Sequence, residues 1–129
     1  MYKLDLTLHA LPKSNNKSLR SHWAAQRREG KMFDLLIAGI CRGKLPAKPL
    51  KKAHITITRH FWRTLDFDGL VGSLKPVVDA LVSAGVIEDD NWNVLGSWEV
   101  DQQFRTKKEG PLLTIQVREV LESEFEKTE

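Results

Sequence analysis

The sequence predicts one α/β (α+β) domain with the element order β-α-β-α-β-β, a four-stranded mixed sheet and two helices. Three observations carry that expectation. Apolar residues recur at every second position in four separate segments, the pattern of half-buried strands. Between Phe33 and Ile40 they recur at i, i+3, i+4 and i+7, the stripe of an amphipathic helix. Gly43 and Gly85 stand just after the two helical stretches, where a left-handed residue closes a helix.

Taken in order, Tyr2, Leu4, Leu6 and Leu8 define a first strand over residues 2 to 9. Residues 11 to 20 (LPKSNNKSLR) combine Pro, Ser and Asn with three cations, a loop composition. The first helix begins near Ser18 or Ser21, since either hydroxyl can cap the free N–H groups of a first turn. Gly30 weakens its middle by about 1 kcal/mol relative to Ala, so a break there stays open. Gly43 ends it, and KLPAKPLKK (44 to 52) is a basic linker. Ala53, Ile55 and Ile57 mark a second strand continuing toward Trp62. Leu70 to Ala84 reads as the second helix, closed by Gly85. Pro76 leaves two outcomes: Ser73 caps a short helix, or a turn starting near Asp68 is distorted at the proline. Trp98 and Val100 belong to a third strand; Leu113, Ile115 and Val117 form a fourth after the turn at Gly110-Pro111. Residues 1 to 118 make the domain, and 119 to 129, with five glutamates, make an acidic tail that is a frayed helix or disordered.

With 129 residues, 41% hydrophobic and 29% charged, the chain has the balance of a soluble globular domain. No apolar run approaches the roughly 18 residues that span a bilayer, and the first ten residues lack a signal-peptide core. Cys41 is alone, which excludes an intrachain disulfide and leads to the expectation of a cytoplasmic protein with Cys41 buried on a helix. Charge is unevenly divided. Residues 1 to 63 hold 14 Lys/Arg against 3 Asp/Glu, and residues 64 to 129 hold 6 against 14. A basic half of this density points to a polyanion partner, most often nucleic acid, because neutralising phosphates releases counterions.

The acidic half is concentrated in Asp66-Phe67-Asp68, Lys75, Asp79 and Glu88-Asp89-Asp90. In extended backbone Asp66 and Asp68 face the same way and converge. Lys75 and Asp79 share a helix face at i, i+4. Singly, each feature is also an ordinary helix cap, ion pair or acidic turn. Together they suit Mg²⁺, which takes oxygen ligands and bridges carboxylates to a substrate phosphate. Such an ion polarises the phosphate and lowers the pKa of the attacking water, and Lys75 then stabilises the charge that develops. A zinc site is disfavoured, because His9, His22, His54 and His60 show no paired spacing. No Walker A, G-x-S-x-G or G-x-G-x-x-G motif is present.

The segment DFDGLVGSLKPVVDALVSAGVIEDD (66 to 90) resembles the RusA-type Holliday-junction resolvases, a prophage-associated family. It keeps the family's K-x3-D-A-L-x2-A-G-x3-D-D spacing, and SLRSHWAAQRR is similar to the family's entry to its first helix. The resemblance implies a Mg²⁺-dependent endodeoxyribonuclease, with Mn²⁺ as a substitute, that acts as a homodimer and nicks a four-way DNA junction symmetrically in recombination and repair. It implies that Asp66, Asp68 and Asp90 hold metal, that Lys75 is the catalytic lysine, and that Asp79 and Asp89 are secondary acidic positions. Gly69 departs from the family, which often has Asn there, and the Asp68–Lys75 gap is longer than in the shortest family members by about one helical turn. Lys13, Lys17, Arg20, Arg27, Arg28, Lys31, Lys51, Lys52, Arg59 and Arg63 are the expected phosphate contacts. Trp23 and Trp62 are expected in core packing, with base stacking as the alternative. The rival functions are a branched-DNA-binding protein without activity and a nuclease acting on flaps or forks.

Overall fold

The four period-two segments hydrogen-bond into one sheet in a computed structural model that describes residues 2–12, 19–91 and 94–120, giving only the backbone course for 19–26 and 95–97. The strands are β1 (Lys3–Leu8), β2 (Ala53–Phe61), β3 (Leu95–Phe104) and β4 (Leu112–Glu119), in the spatial order β1-β4-β2-β3. β4 pairs antiparallel with both β1 and β2, whereas β2 and β3 run parallel, so the sheet is mixed as expected. Its register aligns Leu6, Ile115 and Ile57 in one row, with Val100 opposite Ile57 on the far side. Period two does the rest. Leu4, Leu6, Leu8, Ala53, Ile55, Ile57, Leu113, Ile115 and Val117 all face one side and are buried. Helices cover that side.

The first helix, α1 (Leu19–Ile40), is unbroken through Gly30. Its buried face is Phe33, Ile37 and, just beyond the last turn, Cys41, each without solvent exposure. Packing that stripe outweighs the roughly 1 kcal/mol lost at one glycine. Leu36 lies at the edge of the stripe, and Leu35 points to solvent at 76% exposure. The chain leaves α1 through a turn in which Gly43 has φ 79°. In the basic linker, Leu50 is buried and bridges Ile87 in parallel, through Leu50 N to Val86 O (2.9 Å) and Glu88 N to Leu50 O (3.0 Å).

The second predicted helix is split. α2 (Phe67–Ser73) and α3 (Lys75–Ala84) meet at Leu74, whose φ and ψ are −91° and −4°. The Pro76 ring collides with the carbonyl four residues back and offers no N–H, so the ladder of α2 cannot run through it; in the first turn of α3 the same ring is tolerated. Of the two expected outcomes, Ser73 is no cap, since its hydroxyl donates to Leu70 O at 2.9 Å; the helical turn does start near Asp68, at Phe67 with Asp66 as its cap, and is interrupted just before Pro76. Gly85, at φ 88°, closes α3 as the left-handed residue. The last strand runs to Glu119, and Val120 N donates to Lys52 O. The tail from 121 to 129 lies outside the described residues. No helix among the described residues is long and apolar enough to cross a membrane.

Phe33→Ala is expected to lower stability by about 3–5 kcal/mol, because α1 then loses its largest buried anchor. Leu35→Ala is expected to change it by no more than about 0.5 kcal/mol. Urea unfolding followed by circular dichroism measures both.

Candidate functional site

Lys75 opens α3, and the two carboxylates it meets come from different directions. Asp79 lies one turn further along the same helix, with Oδ1 at 3.5 Å from Nζ. Asp90 returns from 15 residues away and accepts a hydrogen bond from Nζ at Oδ2, 3.3 Å. That return is built from the left-handed turn at Gly85, the burial of Val86 and Ile87, and the Leu50 bridge that fixes Ile87. Asp89 braces the loop itself: its Oδ1 accepts from Asp90 N at 2.7 Å and its Oδ2 from the Asn91 amide at 3.1 Å.

The electrostatics of this pair are those of a wet site. The side chains of Lys75 and Asp90 are 66% and 35% exposed. The hydrogen bond to Asp90, followed by the charge of Asp79, raises the Lys75 pKa. The hydrogen bond from Lys75 lowers that of Asp90. The signs fix the pH window. Asp90's contribution is present above its ordinary carboxylate pKa and is lost as pH falls through its lowered value. Lys75's is present below the ordinary lysine pKa and is lost as pH rises through its raised value. The ion pair therefore persists across the neutral range, and its solvent exposure limits it to about 0–1 kcal/mol of stability.

The other arm is organised differently. Asp66 has extended φ and ψ of −67° and 168°, and its Oδ1 accepts from Gly69 N at 2.9 Å, capping α2. A Cβ on Gly69 would sit 2.5 Å from that oxygen. A residue with a side chain at Gly69 would therefore require the Asp66 carboxylate to shift within the cap. Asp68 sits in the first turn of α2, exposed, and makes no hydrogen bond or ion pair among the described residues. Because the helix begins at Phe67, Asp66 and Asp68 are not an extended i, i+2 pair, and the same-face convergence expected from the sequence does not apply.

The two arms are anchored at opposite ends of β2. Leu65, just before Asp66, is fixed at the level of Gln102, which pairs with Arg59; Ile87 is fixed at Leu50, before the strand begins. Eight residues of α2 and Leu74, about 12 Å of helical rise, separate Asp66 from Lys75. Lys75, Asp79 and Asp90 are brought together. Asp66, Asp68 and Asp90 are not: among the described residues no three His, Cys, Asp or Glu side chains are grouped so as to hold a metal ion. The oxygen donors suit Mg²⁺ in kind, but this arrangement does not fit it as one three-carboxylate centre.

Gln102 is the residue that sequence reasoning missed. Its amide accepts from Leu65 N at 2.9 Å and donates to Leu65 O at 2.7 Å, clamping the residue before Asp66 to β3. The signal was parity. Trp98 and Val100 pack on the core, and Gln102 is the polar residue that next occupies the same face.

The basic residues divide by location. Arg27 and Lys31 of α1 line, with Asp34, Ser73, Lys75 and Asp79, a cleft of about 510 Å³ between α1 and the α2–α3 segment. Arg28 is exposed on the same helix. Lys51 and Lys52 precede β2 and Arg63 follows it, so a nine-residue strand, roughly 30 Å, lies between them. Arg59 differs from the expected surface contact. The alternation of β2 turns it inward with Ile55 and Ile57, leaving it 7% exposed, and burial lowers its pKa. Its guanidinium donates to Arg63 O at 2.7 Å and lies 4.5 Å over the Phe61 ring. Lys13 and Lys17 lie outside the described residues, as do the side chains of Arg20 and Trp23. Trp62 is half-buried and stacked on Phe61, with ring centroids 3.8 Å apart. The chain matches no family model and no curated protein.

In Asp90→Asn the Lys75 pKa is expected to fall toward that of a free lysine, and in Lys75→Ala the Asp90 pKa is expected to rise. Side-chain NMR titration reads both. Gln102→Leu leaves the Leu65 amide and carbonyl unpaired and is expected to cost about 1–3 kcal/mol in urea unfolding, with faster hydrogen exchange at Leu65.

Proposed function

We propose that this protein is a Mg²⁺-dependent endonuclease that cuts branched DNA, working as a homodimer on four-way junctions in the manner of the RusA-type resolvases it resembles. The observation that carries this is the meeting of Lys75 with Asp90 across 15 residues, at the positions where the K-x3-D-A-L-x2-A-G-x3-D-D spacing puts a lysine and the last aspartate of the pattern. Lys75 is an ammonium at neutral pH as any lysine is, and Asp90 and Asp79 raise its pKa further and hold it in place on the cleft wall. On a cleft wall, that fixed charge suits the negative charge that grows on phosphoryl oxygens in the transition state. Arg27 and Lys31 line the same cleft and supply phosphate contacts that position a strand without reading its sequence. The resemblance assigns Asp66, Asp68 and Asp90 to the metal, although this structure holds Asp90 apart from the other two; two symmetric nicks call for two copies of one site, which an isologous dimer presents.

A protein that binds branched DNA without cutting it is the second reading. The observation in its favour is that Asp66 is engaged as a helix cap and Asp90 as the partner of Lys75.

The test is to incubate the purified protein with a labelled four-way junction, a linear duplex and a flap, with Mg²⁺ or with EDTA. Symmetric nicking of the junction is expected, lost with EDTA and in Asp68→Asn and Lys75→Ala while junction binding persists. Binding without cleavage of any branched substrate in Mg²⁺ or Mn²⁺ overturns the nuclease and selects the second reading. Junction affinity is expected to fall steeply with salt, and Lys31→Ala is expected to reduce the slope of log K against log salt by about 1.

A further inference from the structure

The inward stripes of β2 and β3 do not end where the helix layer ends. On β2 the stripe runs Ala53, Ile55, Ile57, Arg59, Phe61, and on β3 Trp98, Val100, Gln102, Phe104, with Phe61 and Phe104 paired across the two parallel strands. Beyond Gln102 it emerges into solvent: Phe104 is 75% exposed. Trp62 stacks on Phe61, and Arg59 holds the other ring contact of Phe61. Phe67, two residues after the clamped Leu65, is 71% exposed at the start of α2. One exposed aromatic ring needs no explanation, but four aromatic residues at one end of two parallel strands do. The carboxyl ends of parallel strands are also where open α/β sheets take their ligands.

The charges around these rings say what kind of ligand fits. Arg63 follows Trp62, and Lys107 and Lys108 follow Phe104 in the next turn; all three are exposed, and none makes an ion pair among the described residues. Arg105 is held by the carbonyls of Gly110 and Glu109 and serves the turn itself. Flat apolar faces beside unpaired cations are the chemistry of an unpaired base on a phosphate backbone. An apolar protein partner would leave those cations without a role.

We propose that Trp62, Phe67 and Phe104 form a stacking shelf for an unpaired nucleobase, backed by Phe61, whose ring is taken up by Trp62 and Arg59, with Arg63, Lys107 and Lys108 on its phosphates. The shelf adjoins Asp66 and Asp68, so the protein selects DNA whose bases are unstacked at the branch point rather than regular duplex. This rests on the proposed nucleic-acid partner but not on cleavage.

The test compares binding of a labelled eight-nucleotide oligothymidylate with an abasic strand of the same length, by fluorescence anisotropy. The wild-type protein is expected to bind the base-bearing strand about tenfold more tightly, the scale of one base on one aromatic ring. Phe104→Ala and Phe67→Ala are expected to remove the preference, Phe104→Tyr to keep it, and Arg63→Ala to weaken both strands alike. Equal binding of the two strands by the wild type, or no binding of either, overturns the shelf. So does Phe104→Ala changing the oligomeric state in sedimentation while the base preference is unchanged, which would mark the rings as a protein interface. Junction cleavage is scored separately: base preference without cleavage rejects the nuclease and keeps the shelf, and cleavage without base preference does the reverse.

Discussion

Parallel pairing of β2 with β3 is the constraint on which the rest depends. Two parallel neighbours cannot be joined by a hairpin, so the chain must cross back over the sheet between Phe61 and Leu95. That crossover holds every carboxylate and the lysine of the candidate site. Polar contacts of its backbone fix it near both ends of β2: Arg63 to Arg59 and Leu65 to Gln102 at the carboxyl end, and Ile87 with its neighbours to Leu50 and Val94 to Ala53 at the other. Whatever lies near Leu65 is held at one end of β2, and whatever follows Ile87 is held at the other.

Between those anchors, one residue sets the course. Pro76 forbids a continuous helix from Phe67 to Ala84, and the break at Leu74 lets α2 and α3 take separate directions. Leu74 is fully buried, so the bend is fixed by packing as well as by the proline. Lys75 is the first residue after the bend, and its side chain is free to reach Asp90 rather than following the axis of α2.

The chemistry-bearing side chains contribute little to holding the fold. Lys75, Asp68 and Asp79 are exposed, and Asp90 meets its lysine within reach of water, where an ion pair adds little stability. The core is made instead by apolar residues such as Ile55, Ile57, Ile115 and Phe33. Substituting the lysine or the exposed aspartates is thus separable from unfolding the protein.

The strands and the buried face of α1 were legible in the sequence because each depends on a local period: Leu4, Leu6, Leu8 at two, Phe33 and Ile37 at four. The closing glycine at Gly85 was legible for the same reason, since a left-handed residue is a local requirement. The i, i+4 spacing of Lys75 and Asp79 was also visible, and with it their contact; that Asp90 meets Lys75 was not, because it depends on how the loop after Ile87 returns. What spacing could not convey was position. Extended backbone at Asp66 and Asp68 was assumed from neighbouring β propensity, but an N-cap at Asp66 converts the chain to helix at Phe67. Arg59 reads as one more cation until the register of β2 turns it inward beside Ile57. Gln102 has no motif at all; its role exists only because parallel pairing lays it beside Leu65. Sequence alone determined which residues are apolar, which are charged and how they repeat; the tertiary structure decided which of them meet, because contacts across a sheet depend on register and crossover, and neither is written in any local window.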